Sequence, residues 1–97
     1  MPTYERELSF VRDWLALSRD RRGLFMKAVA KMVIDLQAGT GFRKGLRVKG
    51  VQGYPDVYEM TWAPDGRATF HYGTSPHPGD THIVWRRIGT HDILKNP

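Results

Sequence analysis

The sequence changes its pattern close to Gly39, and this change limits the folds available to the chain. Before it, apolar residues recur at the spacing of helices. After it, glycine or proline comes every few residues, and the apolar residues between them recur at the spacing of strands. A helical first part followed by several short strands predicts the α+β class, with the helices packed on one face of a sheet.

The first 39 residues predict two helices that form a hairpin. The first has an apolar stripe of residues spaced three or four apart, namely Tyr4, Leu8, Val11 and Leu15,. Thr3 is the expected N-cap of this helix. After a very short connection, Ser18 is expected to cap the second helix, and Gly39 to end it. Helices joined so closely are expected to pack antiparallel.

The rest of the chain predicts strands at about residues 46–51, 57–62, 67–72 and 81–88. Residues 63–66 are expected to form a tight turn, and residues 73–80 a longer loop. Because no helical pattern separates the strands, we expect an antiparallel sheet of four or five strands. At 97 residues the whole chain, 1–97, is expected to form one domain,.

Strand alternation divides the predicted sheet into two faces. The face toward the helices is expected to carry Leu46, Val48, Tyr58, Met60, Trp62, Ala68, Phe70, Tyr72, Val84 and Ile88. The opposite face, called the polar face below, is expected to be open and to carry Arg47, Lys49, Val57, Glu59, Thr61, Arg67, Thr69, His71, Ile83, Trp85 and Arg87. Alternation places Arg86 on the helical side, where it needs the sheet edge or a carboxylate as a partner.

The positive charge of the chain is concentrated in one short segment. The formal net charge is +5, and residues 41–50 contain four basic residues and no acidic one: Arg43, Lys44, Arg47 and Lys49. Such a cluster is typical of a site for a polyanion, either nucleic acid or an acidic protein segment, although a solvated sheet edge has the same composition.

Composition also excludes several classes of site. The chain has no cysteine, which rules out disulfides and thiolate metal sites,. Its four histidines lack the spacing of a zinc site, and no metal or other cofactor is expected. No apolar run is long enough to span a membrane, and Met1 is not followed by a signal-peptide core, so we expect a cytoplasmic protein with no membrane partner.

The last predicted strand carries two arginines and is followed, after Gly89, by His91. Cleavage of RNA without a metal requires proton transfer at the 2′-hydroxyl and at the 5′-oxygen, together with positive charge for the phosphorane. Histidine can transfer the protons and arginine can hold the phosphate. A histidine after a strand is also a common surface residue, so this pattern by itself leaves the function open.

Several segments resemble the RelE/ParE superfamily of toxins from type II toxin-antitoxin modules. They are residues 45–49 (GLRVK), 57–62 (VYEMTW), 65–70 (DGRATF) and 87–91 (RIGTH). The closing run from Arg87 to Asp92 is similar to the terminal strand of the YafQ-like branch. The resemblance implies two helices on an antiparallel sheet and a toxin that cleaves messenger RNA on the ribosome. A ParE-like poison of DNA gyrase, which acts by binding a protein, is the alternative.

The resemblance also implies a set of catalytic residues. His91 would be the general acid or base and Arg87 the cation that stabilises the phosphate. Asp65 matches an aspartate of the YafQ-like pattern, and Arg67 matches an arginine of RelE-like enzymes. The lysines that RelE has on its second strand are replaced here by Glu59 and Thr61, which leaves the second proton-transfer group open.

Glu59 is a candidate general base, and a cross-strand ion pair with Arg67 or Arg87 is the alternative. His71 is either a substitute for the second histidine of the YafQ-like pattern or a surface residue. The residues expected to bind RNA are Arg43, Lys44, Arg47, Lys49, Trp85 and His71. A toxin of this kind implies an antitoxin, expected to be an acidic, partly disordered segment, and a protein that is monomeric alone but forms a hetero-oligomer with that antitoxin.

Overall fold

A computed structural model describes all 97 residues. The strands and helices follow the order β1 (Thr3–Arg6), α1 (Leu8–Ala16), α2 (Arg19–Ala38), β2 (Lys49–Gly50), β3 (Tyr58–Thr61), β4 (Gly66–Tyr72) and β5 (His82–Thr90). Two short 3₁₀ helices, η1 (Lys44–Leu46) and η2 (His91–Lys95), precede β2 and follow β5. The α+β class and the helical hairpin on a sheet, both predicted from the sequence, are confirmed.

The sheet has five strands in the order β1-β5-β4-β3-β2. From β2 to β5 the strands are antiparallel, as expected. The first strand departs from that expectation because it runs parallel to β5, with Thr3 opposite His82 and Arg6 opposite Trp85. Parallel neighbours need a long crossover, and here the crossover contains both helices and three strands.

The predicted start of the first helix is wrong. Residues Thr3–Arg6 form β1, and α1 begins only at Leu8. Tyr4 and Leu8, from the predicted apolar stripe, are 66% and 65% exposed, whereas Phe10 is the buried residue of α1. The spacing of the stripe suits a helix. Hydrogen bonds to β5, almost 80 residues away, nevertheless hold this segment extended. Local periodicity contains no information about such distant pairing.

The second helix begins and ends where the sequence predicts. The Ser18 side chain accepts a hydrogen bond from the Arg21 backbone N–H at 3.2 Å, which satisfies one of the free donors of the first turn,. Gly39 ends the helix with φ of 70°, a conformation that costs glycine little,. Both local signals are therefore sufficient to position α2.

A bulge in β5 changes which residues face the helices. Ile88 lies opposite Ala68 and Arg87 opposite Thr69, but Trp85 lies opposite Phe70, so Arg86 is an extra residue in the ladder,. The extra residue shifts the alternation for the first half of β5. Ile83 and Trp85 therefore belong to the core, and their predicted place on the polar face is wrong.

The core lies between the helices and the sheet and is rich in aromatic rings. Trp85 is its centre, with ring centroids 5.1 Å from Phe25, 5.5 Å from Phe70 and 5.9 Å from Phe10. These distances are those of favourable tilted and edge-to-face pairs. None of the helices is long and apolar enough to cross a membrane.

Helix α1 also protects the edge of β5 beyond the end of β1. The Ser9 hydroxyl donates to the Arg86 carbonyl at 2.6 Å, and an Asp13 carboxylate oxygen accepts from the Ile88 backbone N–H at 3.0 Å. Backbone groups that an edge strand would leave free are thereby satisfied. This arrangement fixes the part of β5 that leads to His91.

The polar face is less open than the sequence predicts, because the chain after β5 folds back over part of it. Ile93 of η2 is buried, and its Cγ2 atom would lie 2.9 Å from a Cβ added to Gly89. Thr69 at the centre of this face is fully buried, and Glu59 beside it is 7% exposed. The accessible part of the polar face is therefore confined to its margins.

Candidate functional site

Three of the predicted catalytic residues lie at one end of the sheet. Gly66 is opposite Thr90, and Arg67 is opposite Gly89. Asp65 and His91 are the next residues outward from these pairs, one in the turn before β4 and the other at the start of η2. Opposite residues in an antiparallel ladder are about 5 Å apart at Cα, so the register brings Asp65, Arg67 and His91 to the same strand ends. Both Asp65 and His91 are exposed there.

Arg67 is held by one end of its guanidinium. Its Nη1 donates to the Gly66 carbonyl at 2.9 Å and lies 3.3 Å and 3.4 Å from the carbonyls of Pro64 and Ala63. The turn thus orients the group, and the Nε and Nη2 atoms make no hydrogen bond within the chain. Arginine arranged in this way can present two parallel donors to a phosphate.

Arg87 is engaged at three nitrogens. Its Nε donates to Asp13 at 2.7 Å, its Nη2 to the other oxygen of the same carboxylate at 3.2 Å, and its Nη1 to the Asn96 carbonyl at 3.0 Å. The hydrogen bond with Asp13 raises the pKa of the Arg87 guanidinium. Arg87 lies in the ladder opposite Thr69, as predicted for the polar face, but its side chain ties α1 to the chain after η2.

Glu59 occupies the same row of the sheet as Arg87. Lys49, Glu59, Thr69 and Arg87 lie opposite one another across β2, β3, β4 and β5. The Glu59 carboxylate makes neither a hydrogen bond nor an ion pair, so neither predicted pair with Arg67 or Arg87 is formed. The Thr69 hydroxyl is buried without a hydrogen-bond partner. The Glu59 oxygens are not among the fully buried unpartnered atoms, so they retain access to solvent although the residue as a whole is buried.

His71 lies near the far end of β4 and belongs to a different cluster. Five residues separate it from Gly66, about 17 Å along a strand, which excludes direct proton exchange with His91. Arg86 Nη1 and His71 Nδ1 are 3.1 Å apart, and Glu7 is 3.8 Å from Arg86. Arg86 has the carboxylate partner that the sequence predicts, but it contacts a residue of the polar face, so its predicted orientation toward the helices is wrong.

A basic cleft lies beside the strand ends that carry Asp65 and His91. It has a volume of about 440 Å³ between α2, η1 and the turn before β4. Five cationic residues and no acidic one line it, namely Lys27, Lys31, Arg43, Arg47 and Arg67. Arg67 lines the cleft and lies at the end of β4, so it is next to the strand ends that carry His91 and Asp65. Several unopposed cations in one concave surface attract a polyanion more strongly than the same charges spread apart.

Arg43 is the one cleft cation with an ion pair. Its guanidinium binds the Asp35 carboxylate at 2.8 Å, and its backbone N–H donates to the same group at 2.9 Å. The hydrogen bond from the Arg43 side chain lowers the pKa of Asp35, and the same contact raises the pKa of Arg43. This pair joins the end of α2 to the segment before η1 and neutralises part of the predicted basic cluster.

The other residues predicted to bind RNA are divided among several places. Arg47 lines the cleft, Lys44 is exposed beside it, and Lys49 lies on β2 opposite Glu59. Trp85 is 4% exposed in the core, so its predicted part in RNA binding is wrong. The bulge explains this error, since without it Trp85 would point to the polar face.

Two cleft residues were not predicted. Lys27 and Lys31 lie on α2 and complete the wall opposite η1. Their spacing of four residues puts them on one side of the helix, and this spacing could have identified them as a pair. Their position next to the 41–50 segment depends on how the hairpin packs on the sheet, and the spacing does not reveal that packing.

Solved structures of toxins have the same fold. The structure is similar to the DinJ-YafQ toxin-antitoxin complex of E. coli, with 15% identity over 96% of each chain and a TM-score of 0.64. It is similar to a YoeB/ParE toxin of Agrobacterium tumefaciens, with 11% identity over 92% of this chain and 98% of the other and a TM-score of 0.65. The RelB-RelE complex of Methanococcus jannaschii gives 18% identity over 94% of each chain and a TM-score of 0.57.

The similarity is visible in structure rather than in sequence. No model of a protein family matches the chain, and no curated protein matches it in sequence. The fold is that of RelE/ParE toxins, including the YafQ-like branch, and the predicted resemblance is confirmed at the level of the fold.

Proposed function

We propose that this chain is the toxin of a type II toxin-antitoxin module and that it cleaves messenger RNA on the ribosome without a metal. The observation that carries the proposal is the basic cleft, which leads through Arg67 to the strand ends where Asp65 and His91 lie. A concave surface with five cations, four of them without an ion pair, suits the phosphates of RNA,. The RelE-like fold supports the same proposal.

The proposed reaction is attack of an RNA 2′-hydroxyl on the adjacent phosphate. The hydroxyl loses its proton as its oxygen bonds to phosphorus, and the 5′-oxygen of the next nucleotide leaves with a proton. The products are a 2′,3′-cyclic phosphate and a 5′-hydroxyl. We assign the two proton transfers to His91 and Asp65, since imidazole and carboxylate are suitable acids and bases.

Arg67 is proposed to stabilise the phosphorane in place of Arg87. The phosphorane carries more negative charge than the ground-state phosphate, so a fixed cation lowers its energy more. Arg67 has free nitrogens beside the cleft, whereas the guanidinium of Arg87 is engaged by Asp13 and Asn96. The family resemblance implies this role for Arg87, and the hydrogen bonds of the two side chains support the change to Arg67.

The proposal includes an antitoxin. Two of the similar structures, DinJ-YafQ and RelB-RelE, are complexes of a toxin with a second protein. The basic cleft favours an acidic segment of such a partner, because charge complementarity guides association and selects partners,. We propose that the antitoxin covers the cleft and thereby excludes RNA.

The test compares His91→Ala with a matched variant, His77→Ala, in a bacterial host. His77 is an exposed histidine in the loop between β4 and β5. The unchanged chain and His77→Ala are expected to stop growth and to fragment transcripts. Loss of a general acid or base costs about 10²- to 10⁴-fold in rate, so His91→Ala is expected to leave growth and transcripts intact. Growth arrest with intact transcripts would contradict the proposed RNA cleavage and favour a protein target such as gyrase.

A further inference from the structure

Glu59 is the buried acidic side chain for which the fold provides no partner. It is 7% exposed, and its carboxylate makes no hydrogen bond and no ion pair within 4.0 Å. Lys49 lies directly opposite it in the ladder but does not contact the carboxylate. Because its oxygens are not among the fully buried unpartnered atoms, the carboxylate keeps solvent access while the rest of the residue is covered. An unpartnered carboxylate with this limited access can accept hydrogen bonds from a ligand that fits the space beside it.

A depression of about 370 Å³ adjoins this carboxylate. Its walls are Glu59, Lys49, Gln52 and Leu94, with Gly50 and Val51 completing the lining. The lining thus includes one acidic, one basic and one amide residue. Leu94, from η2, contributes an apolar surface to it. The volume is sufficient for a planar ring of the size of a nucleobase.

The depression lies next to the basic cleft along β3. Thr61 lines the cleft and comes two residues after Glu59 on β3. Arg47 also lines the cleft and comes two residues before Lys49. Two residues of a strand span about 7 Å, close to the distance between successive nucleotides of an extended single strand. A nucleic acid with a phosphate in the cleft can therefore place a base at Glu59.

The chemistry of the depression differs from that of the cleft. A carboxylate repels phosphate, so Glu59 is unsuited to the backbone of RNA. Carboxylates accept hydrogen bonds from the N–H groups on base edges. Guanine offers two adjacent donors, N1–H and the N2 amino group, and its O6 can accept from a lysine. Adenine and uracil present no such pair of donors.

We propose that Glu59 and Lys49 form a guanine-binding pocket for the RNA whose phosphates lie in the basic cleft. This inference rests on the proposed function and adds a base preference to it. Glu59 accepts from N1–H and N2–H of the base, and Lys49 donates to O6. An arginine or lysine side chain of a protein partner could also satisfy the carboxylate. The five cations of the neighbouring cleft disfavour such a cationic partner.

The test measures binding of two short single-stranded RNAs that differ by one base. Both are 2′-O-methylated, so they cannot be cleaved by 2′-hydroxyl attack, and one has a central guanine where the other has adenine. Fluorescence anisotropy with the unchanged chain is expected to show roughly tenfold tighter binding of the guanine RNA. Glu59→Gln retains the shape of the side chain but replaces one acceptor with a donor, and it is expected to abolish this preference without weakening adenine binding.

Two further variants complete the test. Asp56→Asn makes the same chemical change in an exposed residue outside the pocket and is expected to retain the preference. Lys49 is also exposed, so Lys49→Gln tests the pocket even if Glu59→Gln does not fold. It is expected to weaken the preference for the guanine RNA. Equal binding of the two RNAs by the unchanged chain, or a preference that survives Glu59→Gln, would overturn the guanine pocket alone. Failure to bind either RNA would contradict the proposed function as well.

Discussion

Arg67 and Arg87 show that the partners of an arginine, rather than its place in a strand, decide what it can bind. Both lie on the polar side of the sheet, near the strand ends. Arg67 uses only Nη1 within the chain, whereas Arg87 uses Nε, Nη1 and Nη2. A guanidinium needs at least two free, adjacent donors to hold a phosphate bidentately. Arg67 meets this requirement more fully than Arg87.

We therefore expect opposite effects when each arginine is replaced by glutamine. Arg87→Gln should lower the free energy of unfolding by about 2 kcal/mol, because it removes charged hydrogen bonds to a half-buried carboxylate,. Arg67→Gln should change that free energy by less than about 1 kcal/mol but should slow RNA cleavage about 10²-fold. Urea unfolding and cleavage of a labelled RNA measure the two quantities. A large loss of stability in Arg67→Gln would show that Arg67 is mainly a structural residue.

Helix α2 and strand β1 differ in how far their positions depend on local sequence. Ser18 and Gly39 act through their own backbone and nearest neighbours, so the ends of α2 could be read from the sequence. Strand β1 is extended only because β5 offers it hydrogen bonds, and residue spacing near Tyr4 contains no information about β5. Non-local pairing is the physical reason that the sequence does not predict this strand.

The β5 bulge is also a feature of strand pairing, and it changes the orientation of residues predicted for the candidate site. His91 and Arg67 could be predicted at one end of the sheet, because their positions depend on a turn and a strand end that the sequence marks clearly. The orientations of Arg86 and Trp85 depend on one extra residue in the ladder. The adjacent arginines between Trp85 and Ile88 are the sequence signal of that bulge, since strict alternation cannot bury both flanking residues.

The ion pair between Asp35 and Arg43 links the end of α2 to the segment before η1. It should make the free energy of unfolding depend on pH. The pKa of Asp35 is lower in the folded chain than in the unfolded chain. Its stabilising contribution is therefore present above the ordinary pKa of aspartate and is lost as the pH falls through the lower, folded-state pKa. Asp35→Asn is expected to be less stable than the unchanged chain at pH 7, and the difference should shrink in acid.

Urea unfolding at pH 7, 4 and 2.5 measures this difference. Asp92→Asn is a suitable control, because the Asp92 side chain is 82% exposed and its nearest cation is 3.7 Å away. It is expected to have little effect on stability at any of the three pH values. A difference between Asp35→Asn and the unchanged chain that stays constant down to pH 2.5 would show that the ion pair does not stabilise the fold.

The complete fold assembles a charged surface that no single segment of the chain contains. Lys27 and Lys31 come from α2, Arg43 and Arg47 from the segment around η1, and Arg67 from β4. The net charge of +5 is thus not spread evenly over the surface. Because Asp35 pairs with Arg43, about four cations remain free to neutralise phosphates.

The number of free cations sets the expected salt dependence of RNA binding. Each phosphate neutralised on a single strand contributes about −0.7 to the slope of log K against log salt concentration, so four contacts predict a slope of about −3. Replacing both Lys27 and Lys31 with alanine should make the slope less negative by about 1.4. Arg12→Ala, an exposed cation on α1 outside the cleft, should leave it unchanged. If the double variant retained the full slope, RNA would bind elsewhere, and the cleft could not be the path of its phosphates.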